Sequence, residues 1–296
     1  MGCVFPVSAP IPGLGLNNHL KFGALETTQP VVSTTQPVVS TTQPVVSPLN
    51  PKLDNSPPLV RPNYIVYNTN YSIIQPLETH IRAKNLLSTT GKNTSPLVVQ
   101  HTLRSNPNRQ HIKDWDVCEY ARKIYCEPNA GGKSINSEAF SVNVLNELYG
   151  ITDILSEMEV EYIWYNYKKC DYICTIFGQR VGVSVTRAMG YPDPSHFTVE
   201  DADRLLTKKI NGLLVAREGV LTKYDFDKCI LHMWCESKGI ADTISERHAL
   251  LPDEVKDNIL VVLTVTKPYS SPFIYYDEDA DIVRERILSE TESTEE

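Results

Sequence analysis

Three short runs between residues 159 and 187 alternate apolar with polar side chains. The first run is marked by the apolar positions Val160, Tyr162 and Trp164. The second and third runs cover residues 172–177 and 181–186, and polar or glycine-containing breaks separate all three. A period of two that is rich in β-branched and aromatic residues is typical of strands. The pattern therefore predicts three consecutive strands.

Apolar residues at helical spacing flank these strands on both sides. Before the strands, Ser137 is expected to cap a helix that ends at Gly150, with the apolar stripe Val142, Leu145, Leu148 and Tyr149. After the strands, Thr198 and Asp201 form a capping pair for a helix that ends at Gly219, with the apolar stripe Leu205, Leu206, Ile210, Leu213 and Leu214. The predicted order is helix, three strands, helix.

Further elements follow and precede this group. Residues 229–235 (CILHMWC) alternate again and predict a fourth strand with His232 and Trp234 on one face, where a histidine is more often packed than catalytic. A short helix is expected around residues 240–250. Residues 258–266 (NILVVLTVT) form an apolar run typical of a strand buried on both faces. Nearer the start, short strands are predicted at residues 64–67 and 97–99, and a helix over residues 114–126.

Three regions of different composition divide the chain. Residues 1–57 are predicted to be a disordered linker, and they hold the heptapeptide TTQPVVS three times in tandem. A proline in every repeat prevents a continuous helix and favours an extended, polyproline-like segment, which is a candidate docking site for a protein partner. Residues 58–276 are predicted to form a single α/β domain, and residues 277–296 a disordered acidic tail.

The net charge of the chain is −8, but the acidic tail carries −7 of it, which leaves −1 for residues 1–276. This distribution argues against bulk electrostatic binding of nucleic acid, although a local basic groove is compatible with it. The seven cysteines form no CxxC pair and no disulfide framework, which indicates reduced thiols and an intracellular protein, cytoplasmic or nuclear. No apolar run is long enough to span a membrane, so no membrane association is expected.

Several polar residues are candidates for chemistry. The segment Gly131-Gly132-Lys133-Ser134 resembles part of a phosphate-binding loop, but Glu127 stands where that motif needs a glycine, so a linker turn is favoured. Glu138 lies in the first turn of its helix on the buried stripe, where it serves either the helix dipole or catalysis. Lys209 borders the buried stripe of the next long helix, either extending to water or reaching a site.

From about residue 137 to residue 235, this arrangement resembles the core of the PD-(D/E)XK, or restriction-endonuclease-like, nuclease superfamily. The shared order is helix, three strands, helix, strand, and the chain continues with a further helix and strand to about residue 266. The segments GQRVGVSVTRAMGYPDP and EDADRLLTKKINGLLVAREGV are similar to a divergent branch of that superfamily found in eukaryotes and large DNA viruses. The resemblance implies an α/β fold with a restriction-endonuclease-like core.

The resemblance also implies a Mg²⁺ site. Members of the superfamily place one acid at the start of the second strand and another on the third strand, with a lysine two residues later. Asp171 takes the first position, and Glu138 takes that of a helical acid that often joins the metal site. Ser184 and Thr186 stand where the second acid and the lysine belong, which departs from the pattern. In some members the lysine lies on the following helix, where Lys209 or Lys208 matches it.

Three hypotheses follow. The first is a divergent nuclease that uses Glu138, Asp171, Ser184 and Lys209, with Mg²⁺ held by Asp171 and Glu138 and nucleic acid as substrate. The second is a nuclease-like scaffold without catalysis that binds a protein or nucleic acid, which the missing acid at Ser184 favours slightly. The third is an unrelated α/β domain that binds a nucleotide through Lys133.

Overall fold

The computed structural model describes residues 62–91, 95–106, 115–127, 134–266 and 272–275. The TTQPVVS repeats, Lys133 of the candidate phosphate loop and the acidic tail lie outside these residues. The described strands are β1 (Asn63–Tyr67), β2 (Tyr71–Pro76), β3 (Leu97–Ser105), β4 (Ile151–Ser156), β5 (Tyr172–Ile176), β6 (Gln179–Ala188), β7 (Lys228–Cys235) and β8 (Ile259–Val265). The described helices are α1 (Leu77–Ser88), α2 (Glu119–Cys126), α3 (Ile135–Tyr149), α4 (Val199–Gly219), α5 (Lys238–Ala249), α6 (Asp253–Lys256) and α7 (Pro272–Tyr275).

All eight described strands form one mixed sheet in the order β1-β2-β3-β8-β7-β6-β5-β4. β3, β8, β7 and β6 are parallel neighbours, whereas the outer pairs β1–β2, β2–β3, β4–β5 and β5–β6 are antiparallel. Parallel neighbours need a crossover connection, and α4 supplies it between β6 and β7. The chain is therefore an α/β protein, as the sequence predicts.

Helices cover both faces of the sheet. One buried apolar cluster joins α1, α2, α3 and α7 to one face, and a second joins α4 and α5 to the other. Along β6, Val181, Val183 and Val185 belong to the α3 cluster, so Gly182 and Ser184 between them face α4. Gly182 fits this placement because a Cβ there would lie 2.3 Å from the Phe226 ring of the α4 cluster. Ser184 therefore lies beneath α4.

The predicted order of elements is confirmed from α3 to β8. The strands predicted in residues 172–177, 181–186, 229–235 and 258–266 correspond to β5, β6, β7 and β8, and β8 is buried on both faces. Thr198 and Asp201 form the predicted capping box at the start of α4. The short strands expected near residues 64 and 97 are β1 and β3.

The first of the three predicted consecutive strands was placed wrongly. Residues 160–164 form no strand: Tyr162 makes one isolated bridge to Val220, and Val160 and Tyr162 are buried in the α4 cluster. The apolar alternation there arises because a loop is buried against α4, not because a strand pairs with a neighbour. The strand is β4, whose pairing register with β5 shifts between Ile151 and Asp153. That irregularity breaks the period of two by which a strand is recognised.

Two helix starts also differ from the sequence predictions. Ser137 does not cap α3, because the helix begins earlier and its N-cap is Ser134. Ser137 instead lies in the first turn, where its hydroxyl donates to the Ser134 carbonyl at 2.8 Å. The helix expected from residue 114 begins at Glu119.

Candidate functional site

Asp171 lies immediately before β5 and is held there by the backbone of β6. Its N–H donates to the Val183 carbonyl at 2.9 Å, which continues the β5–β6 ladder by one residue. Its Oδ2 accepts two hydrogen bonds, one from the Ser184 hydroxyl at 3.1 Å and a short one from the Val185 N–H. Within the described residues no hydrogen bond reaches Asp171 Oδ1. The carboxylate is thus held in place through Oδ2, and Oδ1 remains available to a ligand.

Lys209 completes a hydrogen-bonded group with these residues. It extends from α4 over β6, where its ammonium donates to the Val185 carbonyl at 2.8 Å and to the Ser184 hydroxyl at 3.4 Å. Ser184 accordingly stands between the two charged groups, accepting from Lys209 and donating to Asp171. The helical spacing that places Lys209 beside the buried stripe therefore predicts its direction correctly.

Glu138 reaches the same place from the other side of the sheet. It lies in the first turn of α3 and is 7% exposed. The Ser134 hydroxyl donates to Glu138 Oε1 at 2.5 Å. The charges of both Asp171 and Lys209 act on the Glu138 carboxyl, which places the three groups within electrostatic reach of one another. Hydrogen bonds thus join Asp171, Ser184 and Lys209, and Glu138 lies near enough for its charge to interact with those of Asp171 and Lys209.

Burial and neighbouring charges shift the pKa values of this group. Burial raises the pKa of Glu138 to about 7, and the negative charge of Asp171 adds to the increase. Burial lowers the pKa of Lys209, although Asp171 and Glu138 oppose that effect. The nearby ammonium groups of Lys168 and Lys208 lower it further. The site is a partly buried, mixed-charge cluster, with the ammonium groups of Lys168 and Lys208 nearby.

Other candidates do not join the cluster. Thr186 makes no hydrogen bond to the four site residues within the described part of the chain. Arg187 points to the other face, where its guanidinium donates to the Tyr275 carbonyl at 2.8 Å. Lys208 is exposed.

The sequence reasoning missed two groups, the Ser134 hydroxyl and the Val185 backbone N–H. A Ser placed four residues before a Glu is a detectable signal for the first. A backbone donor leaves no signal in the sequence.

His232 is packed, as its strand position suggests. Its Nδ1 contacts the Ser141 hydroxyl at 2.6 Å and its Nε2 contacts the Thr264 hydroxyl at 2.7 Å. The Ser141 hydroxyl also contacts Tyr172 OH at 2.7 Å, and the Thr264 hydroxyl contacts His101 Nε2 at 2.7 Å. This buried chain links α3 to β5, β7, β8 and β3. It supports the helix that carries Glu138 without touching the site itself.

Three further features of the described residues limit the chemistry that the site can perform. Across the described ranges, no three His, Cys, Asp or Glu side chains are grouped closely enough to hold a metal ion by themselves. A cavity of about 440 Å³ beside the starts of β7 and β8 is lined by other residues, among them Arg217, Asp225 and Asp257. Of the helices described, none has the length and apolar character that crossing a bilayer requires.

Comparison with known proteins finds a similarity over part of the chain. The chain is 32% identical over 192 residues to the AAC-rich mRNA clone AAC4 protein of Dictyostelium discoideum. The matched region is 62% of this chain and 27% of that protein, so the chain spans about a quarter of the relative's length. No protein-family model matches the chain, and no solved structure matches it.

Proposed function

We propose that this chain is a divergent, Mg²⁺-dependent nuclease with a restriction-endonuclease-like core that hydrolyses phosphodiester bonds. The observation that carries the proposal is the proximity of Asp171 before β5, Ser184 on β6, Lys209 on α4 and Glu138 on α3. The order of α3, three strands, α4 and β7 supports it, because that is the order of the superfamily core. A carboxylate pair next to a lysine can also hold a divalent cation and stabilise charge on a phosphate, which suits metal-dependent hydrolysis of phosphodiesters.

The donor set fits Mg²⁺. Mg²⁺ takes oxygen ligands and is usually bound through one or two carboxylates together with waters and substrate phosphates. Asp171 and Glu138 supply two carboxylates, and Asp171 Oδ1 accepts no hydrogen bond from the described residues. Burial is the main cause of the raised pKa of Glu138, and the negative charge of Asp171 adds to it; a divalent cation would offset both effects. When bound, the metal neutralises phosphate oxygens and lowers the pKa of a coordinated water.

The protein's own residues have distinct roles in this proposal. Asp171 and Glu138 hold the cation. Lys209 places positive charge beside the scissile phosphate, in a partly desolvated position where that charge acts strongly. Ser184 occupies the place of the missing second acid and keeps Lys209 and Asp171 in register through its two hydrogen bonds. Ser184 is a positioning residue rather than a metal ligand.

A cleavage assay on the full chain tests this function. We expect the protein to cut nucleic acid with Mg²⁺ or Mn²⁺ but not with EDTA, and Asp171→Asn to abolish cleavage, since the variant keeps the side-chain shape but loses its charge. The matched control is Asp153→Asn, which removes an exposed acid from neighbouring β4 and should cut like the wild type. Cleavage that persists in Asp171→Asn, or that needs no metal, would rule out the mechanism.

One observation favours a second function, a non-catalytic scaffold that binds nucleic acid or protein. The third strand offers Ser184 in place of an acid, and the described residues contain no group of three metal-binding side chains. Two carboxylates give a divalent cation one anionic ligand fewer than a site that also holds an acid on the third strand. Under this alternative, the protein binds its partner but shows no metal-dependent cleavage, and Asp171→Asn leaves binding unchanged.

A further inference from the structure

The loop between β4 and β5 presents two aromatic side chains to solvent. Trp164 is 69% exposed and Tyr165 is 89% exposed, whereas Trp115 and Trp234 are 1% and 0% exposed. Large apolar groups left in water at adjacent positions often mark an interaction surface. The same loop ends at Asp171, so this surface is directly connected to the candidate site.

The loop is a fixed element that lies along α4. At one end, the Ile163 N–H donates to the Gly219 carbonyl at 2.8 Å, and the Leu221 N–H donates to the Glu161 carbonyl at 3.0 Å. Trp164 and Tyr165 lie in a turn closed by the Tyr167 N–H, which donates to the Trp164 carbonyl at 3.0 Å. The aromatic pair is therefore displayed on a constrained backbone.

Two glycines of α4 allow this close approach. The Tyr167 ring packs on Gly219, where a Cβ would lie 2.1 Å from the ring, and the Lys168 side chain passes Gly212 at 3.4 Å from the position of a Cβ. The loop thus runs back along the helix from Gly219 towards Lys209. Ten residues of helix separate those two positions, which corresponds to about 15 Å.

Positive charge occupies the space between the aromatic pair and Asp171. Lys168 and Lys208 are exposed and both act on Lys209. Two acids of the same loop are paired with other lysines: Glu161 with Lys223 at 2.5 Å, and Glu159 with Lys123 at 2.7 Å. Within the described residues, neither Lys168 nor Lys208 has a carboxylate within salt-bridge distance. The surface therefore runs from exposed aromatic rings, past unpaired ammonium groups, to the site.

We propose that this surface, made of Trp164, Tyr165, Lys168 and Lys208, binds single-stranded nucleic acid and guides it to Asp171. Exposed aromatic rings stack on unpaired bases and lysines contact the phosphates, which is the combination that single-strand binding uses. The span of about 15 Å between Gly219 and Lys209 is long enough to contact more than one nucleotide of a single strand. A duplex buries its base faces, so it cannot use the aromatic pair. This inference deepens the proposed nuclease function and takes the substrate class from it.

Binding in EDTA tests the surface separately from cleavage. The full chain is titrated into labelled oligothymidylate, oligouridylate and a DNA duplex, and affinity is read from fluorescence anisotropy. We expect either single strand to bind more tightly than the duplex, with the stronger of the two identifying DNA or RNA. Trp164→Ala should weaken single-strand binding about tenfold, because stacking of one base contributes on that scale. Trp164→Phe, which keeps a ring, should recover most of the affinity.

The control variant is Tyr67→Ala. Tyr67 is 75% exposed, but it lies on β1 at the opposite edge of the sheet from β4, so its removal should not change binding. Acrylamide quenching gives a second readout, since Trp164 is far more exposed than Trp115 and Trp234. Bound oligonucleotide should protect the tryptophan fluorescence of the wild type.

The outcomes separate this inference from the nuclease proposal. Equal or tighter binding of duplex, or a Trp164→Ala variant that binds like the wild type, overturns the surface even if Mg²⁺-dependent cleavage is observed. Single-strand binding that depends on Trp164 supports the surface even if no cleavage is detected. Failure to bind any oligonucleotide overturns the proposed surface, and a protein partner then becomes the alternative ligand of the aromatic pair.

Discussion

Glu138 is the residue at which burial and charge act most strongly against each other. A carboxyl that is 7% exposed and lies near Asp171 is destabilised when ionised, and its pKa rises from an ordinary 4.5 to about 7. Because the folded protein holds this proton more tightly than the unfolded chain, Glu138 lowers the free energy of unfolding progressively as the pH rises from 4.5 to 7. The cost is complete above pH 7.

Replacing this carboxyl should therefore stabilise the protein at high pH. We expect Glu138→Gln to raise the free energy of unfolding relative to the wild type by roughly 2 to 3 kcal/mol more at pH 8 than at pH 5. Gln retains an oxygen that accepts from Ser134 but cannot ionise. Urea unfolding in EDTA at the two pH values measures the difference.

Glu147→Gln is the matched control, because it removes an acid from the exposed face of the same helix. That variant should differ from the wild type by the same amount at both pH values. A Glu138→Gln variant that behaves in this way too would contradict the electrostatic account of the site.

Sequence alone predicts some of these residues and not others. Asp171 precedes an alternating strand, and Lys209 is four residues from Leu205 and three from Leu206, so periodicity fixes where both point. Their meeting with Glu138 depends on how α3 and α4 pack on opposite faces of the sheet, which periodicity does not specify. The Val185 N–H depends on the twist and register of β6 beside β5.

Among the elements, α3 is anchored through a buried polar chain. Ser141 on α3, His232 on β7, Thr264 on β8 and His101 on β3 are joined by hydrogen bonds of 2.6–2.7 Å. Burial lowers the pKa of His101 to about 3 and that of His232 well below its usual range, so both imidazoles are neutral near pH 7. A buried hydrogen-bonded network favours one packing arrangement of the elements it joins, although His101 Nδ1 has no hydrogen-bond partner within the described residues.

Breaking this chain should cost stability out of proportion to the atoms removed. Thr264→Val keeps the side-chain shape but leaves two imidazole nitrogens without the hydroxyl, and we expect a loss of about 3 kcal/mol. Thr264→Ser retains the hydroxyl and should cost only about 1 kcal/mol for the lost methyl group. Urea midpoints at pH 7 compare the two variants. If Thr264→Val proves at least as stable as Thr264→Ser, the chain does not stabilise the fold.

The misplaced strand illustrates a limit of pattern recognition at this scale. Val160 and Tyr162 alternate because they bury against α4, and Trp164 continues the alternation although it is exposed. β4 pairs with β5 despite a register shift, and its sequence ITDILS lacks a regular period. Where the local sequence does not distinguish a loop from a strand, tertiary packing decides which one forms. The exposure of Trp164, which underlies the single-strand surface, became visible only with the fold.

At the scale of the whole molecule, the organisation of the sheet explains how a few charged side chains can form a site. Helices cover both faces of the sheet, so most polar side chains on β5 and β6 would be buried away from solvent. At the start of β5 the sheet admits an acid from the loop, a lysine from α4 and a second acid from α3. A chain of nearly neutral charge outside its acidic tail can therefore still hold a local mixed-charge cluster, which is the proposed site for a phosphate and a cation.

The central claim is that Asp171 and Glu138 share a divalent cation, and metal-dependent thermal unfolding of the full chain tests it most directly. A cation at 100 times its Kd stabilises the folded state by about 2.7 kcal/mol, so saturating Mn²⁺ or Mg²⁺ should raise the Tm of the wild type by several degrees. Asp171→Asn should remove that increase and Glu138→Gln should reduce it, while Glu147→Gln keeps it. A wild-type Tm that no divalent cation changes, or an equal increase in Asp171→Asn, would contradict the account.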